Sequence, residues 1–528
     1  MKYKATVDGT DFTIDVDRHG EVLVDGERRE VDLRPIDGGS MFSLVMDNRS
    51  HDVYVERRAG MYYVVIGGSR FAVDVGDARL KELIAMSQRK HDEVSGAVVE
   101  APGGSPWDAE PPTASWSDAL HGHVWLDDFA AASDEAARGR LRDWLFQWIE
   151  RYGGGRGPGW RADLAGRRLT RWICHAPAIL SGAGPARSRA FFSALGRQIR
   201  FLRRRWRTAP EGLPRIEAAA GLIYAGLALE GAEGELLAAG SAALGREAAR
   251  RVGRDGGVPS RSPEEAAEIF ATLVWAARSL EEAGRAPAPE HEAALPRLAA
   301  AIRALRLGDG RLARFHGGGG GDPERLDRAL AASGLRPAAP VRETMGYHRL
   351  GSGRTVLVFD GSSEGALRTA HASLFCFELS VGARPMIVNC GPGARFGEAW
   401  RLAARATAAH SGLTIDETSS AKLGGSGRLV QPSHVSAVRE EDETGVWLSA
   451  EHDGWLASHG LVHHRRLWLS ADGGDLRGED RVTAEGPGPR AIFDMAAGRE
   501  NRLEAPFSIR FHLHPEVEAE AFLAGSAI

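Results

Sequence analysis

Histidine and asparagine side chains beside short apolar runs are the residues of this sequence best suited to acid–base or metal chemistry. His371 and His410 each stand shortly before such a run, and Asn389 ends another. The runs, FCFEL, PMIVN and LTID, have the length and composition of buried strands. Neighbouring strands bring together residues that are distant along the chain. The sequence therefore predicts a polar site at these three side chains, with hydrogen-bonded structural residues as the alternative.

A second group of candidates is the run of arginines in RQIRFLRRRWR. Helical spacing puts Arg197, Arg200 and Arg204 on one face, and Arg203 shares another face with Arg200. Guanidinium groups bind carboxylate and sulfate groups through two parallel hydrogen bonds. The pattern favours a polyanionic sugar as a partner, and a solvated helix face partly paired with glutamates is the alternative.

Other histidines alternate along apolar runs, and one loop is rich in glycine. LVHHRRLWL places His463 and Arg465 on one side of a strand, and FHLHP does the same for His512 and His514. Two histidines at this spacing can chelate a metal, and packed or solvated side chains are the alternative. The five glycines at 317–321 are not followed by Lys-Ser/Thr, so they predict a turn and not a phosphate-binding loop.

Length and composition bound the classes of protein. A chain of 528 residues predicts several domains, and a formal net charge of −5 argues against a general nucleic-acid partner. Three cysteines predict buried thiols and no disulfide framework. The N-terminus lacks a signal peptide and no apolar run is long enough to span a membrane, which predicts a cytoplasmic protein.

The elements that position these candidates change along the chain from strands to helices and back to strands. Residues 1–95 alternate around Asp-Gly and Gly-Gly turns, which predicts a small β domain closed by a helix at 79–89. Residues 96–115 are rich in Pro and Gly and predict a linker. About seven helices follow at 116–335, and successive antiparallel pairs predict an incomplete (α/α) toroid.

The last part of the chain, residues 340–528, has a period of two. Its short runs, AIFDMAAG among them, are interpreted as strands of an antiparallel β-sandwich. The chain ends soon after FHLHP, so we expect a sandwich without its last strands. The fold class predicted is α+β with several domains.

Several spaced motifs resemble those of the heparinase II/III family from about residue 106 to residue 528. They include PWDAEPP, WIERYGGGRGPGW, DGGVPSRSPE, RATAAHSGLTID and HHRRLWLSADGGDLRGED, in the family's order. The resemblance implies a toroid followed by a sandwich, and cleavage of uronic-acid-containing polysaccharides by β-elimination. In such a reaction a Tyr or His moves the C5 proton while the uronate carboxylate is neutralised. The resemblance also suggests a periplasmic or cell-envelope location.

Residue by residue, the resemblance implies a metal set of His371, Asn389 and His410, which would hold one structural zinc. The family's first catalytic His corresponds to Thr369, and its catalytic Tyr corresponds to Glu265. The family's Asn-His pair has no match.

Other residues of the sequence could take the place of the unmatched ones. Tyr347 and His348, which open the sandwich, and Arg204 are the catalytic candidates. Arg197, Arg200 and Arg203 are the substrate-binding candidates.

The N-terminal segment resembles the region before the biotinyl domain of biotin carboxyl carrier-type carboxylase subunits. Its VDG hairpins, RFAVDV, LKEL and SGAVVEAPGG carry that resemblance, but no biotin-accepting Ala-Met-Lys-Met is present. No biotin is therefore expected, and carboxylase subunits are an alternative partner.

Two functions follow from the sequence. The first is a polysaccharide lyase acting on an acidic glycan. The second is a catalytically degenerate relative that binds an acidic glycan or takes part in envelope biogenesis.

Overall fold

The computed structural model describes two parts of the chain, residues 2–77 with gaps and residues 105–527 with gaps. In the first part it describes residues 2–7, 10–16, 22–29, 31–35, 41–46, 49–58, 61–66 and 69–77. In the second it describes residues 105–127, 135–229, 233–336, 339–362, 369–424, 427–430, 434–498, 504–519, 521–522 and 526–527. The chain divides into two compact units, Met1–Asp92 and Glu93–Ile528.

The first unit contains a nine-stranded antiparallel sheet with the order β4-β3-β2-β1-β9-β8-β7-β6-β5. The strands are β1 Lys2–Val7, β2 Thr10–Val16, β3 Val22–Val24, β4 Glu27–Arg29, β5 Val31–Pro35, β6 Met41–Met46, β7 Arg49–Arg58, β8 Met61–Ile66 and β9 Ser69–Asp77. Asp25 and Gly26 join β3 to β4 with φ of 50° and 85°. Positive φ at both turn residues is the reason Asp-Gly predicts a tight hairpin. The predicted helix at 79–89 lies outside the described residues.

The second unit begins with helices. They are α1 Ala114–His121, α2 Glu135–Tyr152, α3 Ala162–Cys174, α4 Ala176–Leu180, α5 Gly184–Arg205, α6 Leu213–Ala228, α7 Glu233–Arg251, α8 Pro263–Glu282, α9 Pro289–Leu305 and α10 Pro323–Ala332. Polar caps fix three of their starts. Thr113, Ser262 and Asp322 accept backbone hydrogen bonds from the first turns of α1, α8 and α10.

One apolar core runs through the helical part. Its largest buried side chains include Trp148, Trp172, Phe270 and Phe315. Small residues let helices approach closely, because a Cβ on Gly166 of α3 would lie 2.6 Å from Cα of Ala218 on α6. The β part also contributes to this core through Tyr347 and Val358, so the helical and β parts share apolar packing.

The β part consists of several antiparallel sheets. Its strands are β10 Glu343–Thr344, β11 Tyr347–Ser352, β12 Thr355–Asp360, β13 Phe377–Val381, β14 Arg384–Ile387, β15 Leu413–Ile415, β16 Lys422–Leu423, β17 Leu429–Val430, β18 Val435–Glu441, β19 Gly445–Trp455, β20 Leu461–Ser470, β21 Leu476–Thr483, β22 Phe507–Ile509, β23 Ala521–Phe522 and β24 Ser526–Ala527. Strands β10 to β14 form a five-stranded sheet in chain order, and β18 to β21 form a four-stranded sheet.

These two sheets pack face to face over a shared apolar core. Leu357, Phe359 and Phe377 of the first sheet pack in one cluster with Leu448 and Leu467 of the second. Alternate residues of each strand face this core, which is the arrangement of a sandwich. Three helices interrupt the strands: α11 Glu398–Ala403, α12 Leu456–His459 and α13 Pro487–Gly498. The fold class is α+β, as the sequence predicted.

Two predictions differ from the structure. Residues 491–498 were predicted to be a strand, but they belong to α13, which begins at Pro487. The predicted linker 96–115 includes Pro106–Asp108, which form a helical turn, and the buried Trp107. The Trp107 indole donates a hydrogen bond to the Trp144 carbonyl at 2.9 Å, so residues after 105 belong to the helical part. None of the helices in the described part of the chain is both long and apolar enough to cross a membrane.

Candidate functional site

The junction between the helical and β parts contains a buried ion pair. Arg261, in the loop before α8, donates to Asp360 at the end of β12, and both side chains are almost fully buried. Arg261 also donates to the carbonyls of Met345 and Ser362, each at 2.6 Å. Asp360 accepts a further hydrogen bond from Ser373 at 2.7 Å.

Three buried histidines extend from this ion pair. Nε2 of His316 lies 3.3 Å from Asp360. The backbone N–H of His371 donates to Nδ1 of His316 at 3.0 Å, and the two rings of His371 and His410 are hydrogen-bonded at 3.0 Å. His410 also donates through Nδ1 to the Ala406 carbonyl at 2.9 Å, so its Nε2 must accept from His371. We call Arg261, Asp360, His316, His371 and His410 the junction cluster.

Burial governs the protonation of the junction cluster. It lowers the pKa of His410 to about 4 and holds the pKa of His371 well below its usual value, since a charged imidazole would lose its solvation. Burial alone would raise the pKa of Asp360, but the charge of Arg261 and the hydrogen bonds of His316 and Ser373 outweigh it and lower that pKa. The cluster therefore consists of neutral histidines around one ion pair at neutral pH.

Asn389 lies close to the junction cluster. Its side-chain NH₂ donates to the Arg314 carbonyl at 3.0 Å, and its backbone N–H donates to the buried carboxyl of Glu378 at 2.7 Å. The next residue, Cys390, donates its N–H to the carbonyl of Ala409, beside His410. The side-chain oxygen of Asn389 is buried and has no hydrogen-bond donor within the described structure.

The zinc prediction rests on His371, Asn389 and His410. The unmatched oxygen of Asn389 would suit a cation, but the two imidazoles hydrogen-bond to each other and the third donor is a neutral amide. Structural zinc uses four donors drawn from thiolate, imidazole and carboxylate. No group of three His, Cys, Asp or Glu side chains within the described residues is arranged to hold a metal ion. This donor set does not fit structural zinc. A zinc ion at these residues stays a prediction, which metal analysis would test.

The catalytic candidates Tyr347 and His348 are neighbours on β11 and point to opposite sides of the strand. The Tyr347 hydroxyl is buried and donates to the Arg261 carbonyl at 2.7 Å. Burial raises the pKa of Tyr347 well above its usual value and lowers the pKa of His348, which lies 4.0 Å from Glu343. A tyrosine in this setting keeps its proton, so it is not placed to act as a general base.

Thr369, at the position of the family's first catalytic His, lies beside the glycine loop 317–321. A Cβ on Gly317 would lie 3.2 Å from Cβ of Thr369, and one on Gly318 would lie 2.6 Å from Oγ of Ser262. Gly319 donates its N–H to Glu264 at 2.7 Å, so the loop is seated on the first turn of α8.

Glu265, at the position of the family's tyrosine, is turned away from the glycine loop. Its carboxylate accepts the N–H of Leu213 at 3.2 Å, at the start of α6. The family's catalytic tyrosine and first catalytic histidine are therefore absent from these two positions.

A pocket of about 840 Å³ opens in the helical part, and five arginines line it. They are Arg161, Arg197, Arg200, Arg204 and Arg205. Trp160 and Phe201 form an aromatic wall, with ring centroids 5.2 Å apart and planes at 90°. We call this site the arginine pocket. Tyr347 and His348 do not line it, so the three catalytic candidates are not brought together.

The arginines of this pocket differ in their partners. Arg161 is paired with Asp118 and Asp163, each at 2.6 Å. Arg197 donates to the Gly153 carbonyl at 2.6 Å and to the Ser193 hydroxyl at 2.9 Å.

The other three arginines of the pocket, Arg200, Arg204 and Arg205, are exposed and have no acidic partner among the residues that the structure describes. Arg203 lies outside the pocket and pairs with Glu235 at 2.5 Å.

The remaining histidine candidates are hydrogen-bonded within the sandwich. His463 contacts His452 at 3.1 Å and Asp480 at 2.7 Å, and Arg465 donates to both oxygens of Asp480. His512 donates to the Ala408 carbonyl at 3.0 Å.

Sequence reasoning missed the residues that join distant segments. Arg261, His316 and Asp360 of the junction cluster belong to no periodic pattern, and the only local signal was a histidine directly before five glycines. Trp160 of the arginine pocket was named only as the last residue of the motif WIERYGGGRGPGW.

Comparison with known proteins identifies one relative over most of the chain. FtsZ-localized protein C of Caulobacter vibrioides is 34% identical over 451 residues, which is 82% of this chain and 75% of that protein. Residues 335–528 match the family described as heparinase II/III-like, C-terminal.

Solved structures agree on the fold. The crystal structure of heparinase III superposes with a TM-score of 0.56 at 16% identity, covering 72% of this chain and 66%, just under two thirds, of that chain. A second heparinase III superposes with a TM-score of 0.52 at 14% identity, covering 76% of this chain and 74% of that chain. These likenesses confirm the predicted toroid and sandwich. The resemblance of the N-terminal segment to carboxylase subunits is not supported.

Proposed function

Because the chain belongs to the family of FtsZ-localized protein C and carries a heparinase II/III-like C-terminal domain, we propose that it binds acidic glycans and does not cleave them. The observation that carries this proposal is the arginine pocket, a cavity of about 840 Å³ lined by three guanidinium groups that have no acidic partner in the described part of the chain. A cavity of this size accommodates a short oligosaccharide.

The chemistry of the pocket suits a sugar with negative charges. Arg200 and Arg204 lie one helical turn apart on α5, so their side chains start roughly 6 Å apart. Each guanidinium can take a carboxylate or sulfate through two hydrogen bonds. Trp160 and Phe201 offer apolar faces against which a sugar ring can pack. Because the contacts are partly exposed, we expect binding to weaken as salt concentration rises.

Binding without turnover is favoured by the state of the residues that β-elimination would need. Tyr347 donates its hydroxyl proton to a carbonyl in the core, and the family's catalytic positions hold Thr369 and Glu265. Arg204 lines the arginine pocket, whereas Tyr347 and His348 do not. Among the described residues that line the pocket there is no tyrosine or histidine, and the one carboxylate, Asp163, is paired with Arg161.

The place of action in the cell follows from the relative, whose name ties it to FtsZ. We extend that association to this chain and place its glycan binding where FtsZ assembles. A fluorescent fusion imaged in the native bacterium together with labelled FtsZ tests this. We expect coincident bands that disperse when FtsZ is depleted, and a fusion spread evenly through the cell would remove this part of the proposal.

The binding experiment compares two variants of the same helix, one double and one single. Full-length protein is titrated with labelled heparin, heparan sulfate and alginate oligosaccharides. For Arg200→Gln with Arg204→Gln we expect a Kd at least about tenfold weaker, because each charged hydrogen bond contributes about 1.5–3 kcal/mol. Arg203→Gln removes a charge of the same helix outside the pocket and is the matched control, with less than about a twofold change. Equal effects of the two variants would refute the pocket.

The second candidate function is the lyase that the heparinase-like fold suggests. The same mixtures are followed by the ultraviolet absorbance of the unsaturated uronate product. The binding proposal expects no product from any of the glycans. If product appears with the wild type and disappears in the double arginine variant, the lyase function would replace the binding proposal.

A further inference from the structure

An arginine in the middle of the helical part is fully buried without a carboxylate. Arg168 on α3 has 0% of its surface exposed, and its guanidinium carbon lies 4.1 Å from the ring centroid of Trp148. Its Nε donates to Oε1 of Gln198 at 2.6 Å. Nη1 donates to the carbonyls of His121 and Gly159 at 2.7 and 3.0 Å. No acidic side chain within the described residues pairs with it.

Two donors beside this contact are unmatched. Nη2 of Arg168 and Nε2 of Gln198 are buried and have no hydrogen-bond partner among the residues that the structure describes. Nη2 is bonded to the same carbon as Nε, and Nε2 to the same carbon as Oε1, so the two donors flank the Nε–H···Oε1 hydrogen bond. The amide of Gln198 cannot be reversed, because its NH₂ would then face the Nε–H of Arg168.

A third unmatched donor belongs to His123, whose ring packs 5.3 Å from that of Trp148. Its Nδ1 accepts from the Trp172 indole at 2.9 Å, so the proton is on Nε2, which is buried without a partner. Burial holds the pKa of His123 well below its usual value, so this ring is neutral.

The charge at this place is positive and uncompensated. Burial lowers the pKa of Arg168 to about 9, which leaves it protonated at neutral pH. A buried unpaired charge costs several kcal/mol, and buried donors without acceptors add to that cost. A water molecule could accept hydrogen bonds from these donors, but its own hydrogens would then point towards other donors. A monatomic anion has no hydrogens and only accepts hydrogen bonds.

We propose that Arg168 and Gln198 form a binding site for a small monovalent anion of halide size. The anion accepts from Nη2 of Arg168 and Nε2 of Gln198, and it neutralises the guanidinium. Because Arg168 lies on α3 and Gln198 on α5, the bound anion joins two helices. Arg168 also holds the Gly159 carbonyl, next to Trp160, so the anion supports the aromatic wall of the arginine pocket.

The solution experiment measures Tm of the full chain as sodium bromide replaces sodium gluconate at constant ionic strength. Binding to the folded state alone raises Tm, by about 1–3 °C for each tenfold increase of bromide above its Kd. Gln198→Glu supplies a carboxylate that accepts from both Nε and Nη2 of Arg168, so the bromide dependence should vanish. Arg203→Gln removes an exposed arginine outside the arginine pocket and should retain it. The same dependence in Gln198→Glu and the wild type would overturn the proposal.

A direct experiment remains decisive if Gln198→Glu does not fold. Crystals of the wild type grown or soaked in bromide are measured at the bromine absorption edge. The proposal requires an anomalous peak within hydrogen-bond distance of both Arg168 Nη2 and Gln198 Nε2. Water density or no density at this position, with bromide bound elsewhere, would overturn it.

Discussion

The junction cluster and the arginine pocket hold their polar side chains in opposite ways. In the junction cluster, hydrogen bonds and one ion pair join the buried side chains to each other and to backbone carbonyls. In the arginine pocket, Arg200, Arg204 and Arg205 project into a cavity without acidic partners in the described structure. The first arrangement stabilises the fold, and the second leaves charge available for a ligand. The motif-like histidines are therefore part of the packed structure of this chain, and the arginine run is where we propose that a ligand binds.

The largest expected effect concerns the ion pair of the junction cluster. Asp360→Asn leaves the buried Arg261 without its counter-charge and should lower the free energy of unfolding by about 3–5 kcal/mol. Asp327→Asn, which removes an exposed partner of Arg306, is the control and should cost less than about 1 kcal/mol. Denaturant unfolding of the full chain measures both. Similar values for the two variants would show that the junction cluster carries no special stability.

The pH dependence of stability gives the next effect. His410 has a folded pKa of about 4 and takes up its proton near 6.5 when unfolded, so the unfolded state binds the extra proton between these values. Stability is therefore full above pH 6.5 and falls as pH drops towards 4, by roughly 3 kcal/mol from this group.

This slope is measured by unfolding at several pH values. His410→Gln should remove the part of the slope that comes from this group, because the other buried histidines still contribute theirs. A slope in His410→Gln equal to that of the wild type would contradict the prediction.

Two adjacent glycines of the loop 317–321 differ in the space around them, because Gly318 is closely packed and Gly319 is not. Gly318→Ala places a Cβ 2.6 Å from the Ser262 hydroxyl that caps α8, so it should cost about 1–2 kcal/mol. Gly319→Ala meets nothing closer than 3.6 Å and should change stability by less than about 0.5 kcal/mol. Thermal or denaturant unfolding compares the pair. Equal costs would mean that the loop is not seated on α8.

The smallest effect on stability is expected in the arginine pocket. Arg200→Gln with Arg204→Gln should change the free energy of unfolding by less than about 0.5 kcal/mol, because both side chains are exposed and unpaired. The same variant should lose glycan affinity. A large loss of stability would erase the contrast between the two regions.

Local sequence patterns predicted the architecture because periodicity reports which face of an element is buried. The Asp-Gly step at residues 25–26 predicted the hairpin between β3 and β4, and helical spacing after residue 116 predicted the helical part. Patterns failed where a short apolar run has no clear period, as in 491–498. There a proline at the first turn starts a helix and the alanines extend it.

The candidate sites were less predictable because partners come from distant segments. Periodicity cannot tell that Arg203 meets Glu235 while its neighbour Arg204 faces a cavity. Nor can it place Arg261 against Asp360, 99 residues away along the chain. Arg168 was invisible to sequence reasoning, because nothing in α3 distinguishes a buried arginine from an exposed one.

Gly308 lies three residues after the end of α9 and meets the hairpin between β13 and β14 at Gly382. A Cβ on Gly308 would overlap the Gly382 carbonyl oxygen, and its N–H donates to the Ser380 hydroxyl at 2.9 Å. Main chain therefore packs directly against main chain at this contact between the helical and β parts. Any side chain at position 308 would push the two parts apart here, so we expect glycine to persist at this position in related sequences.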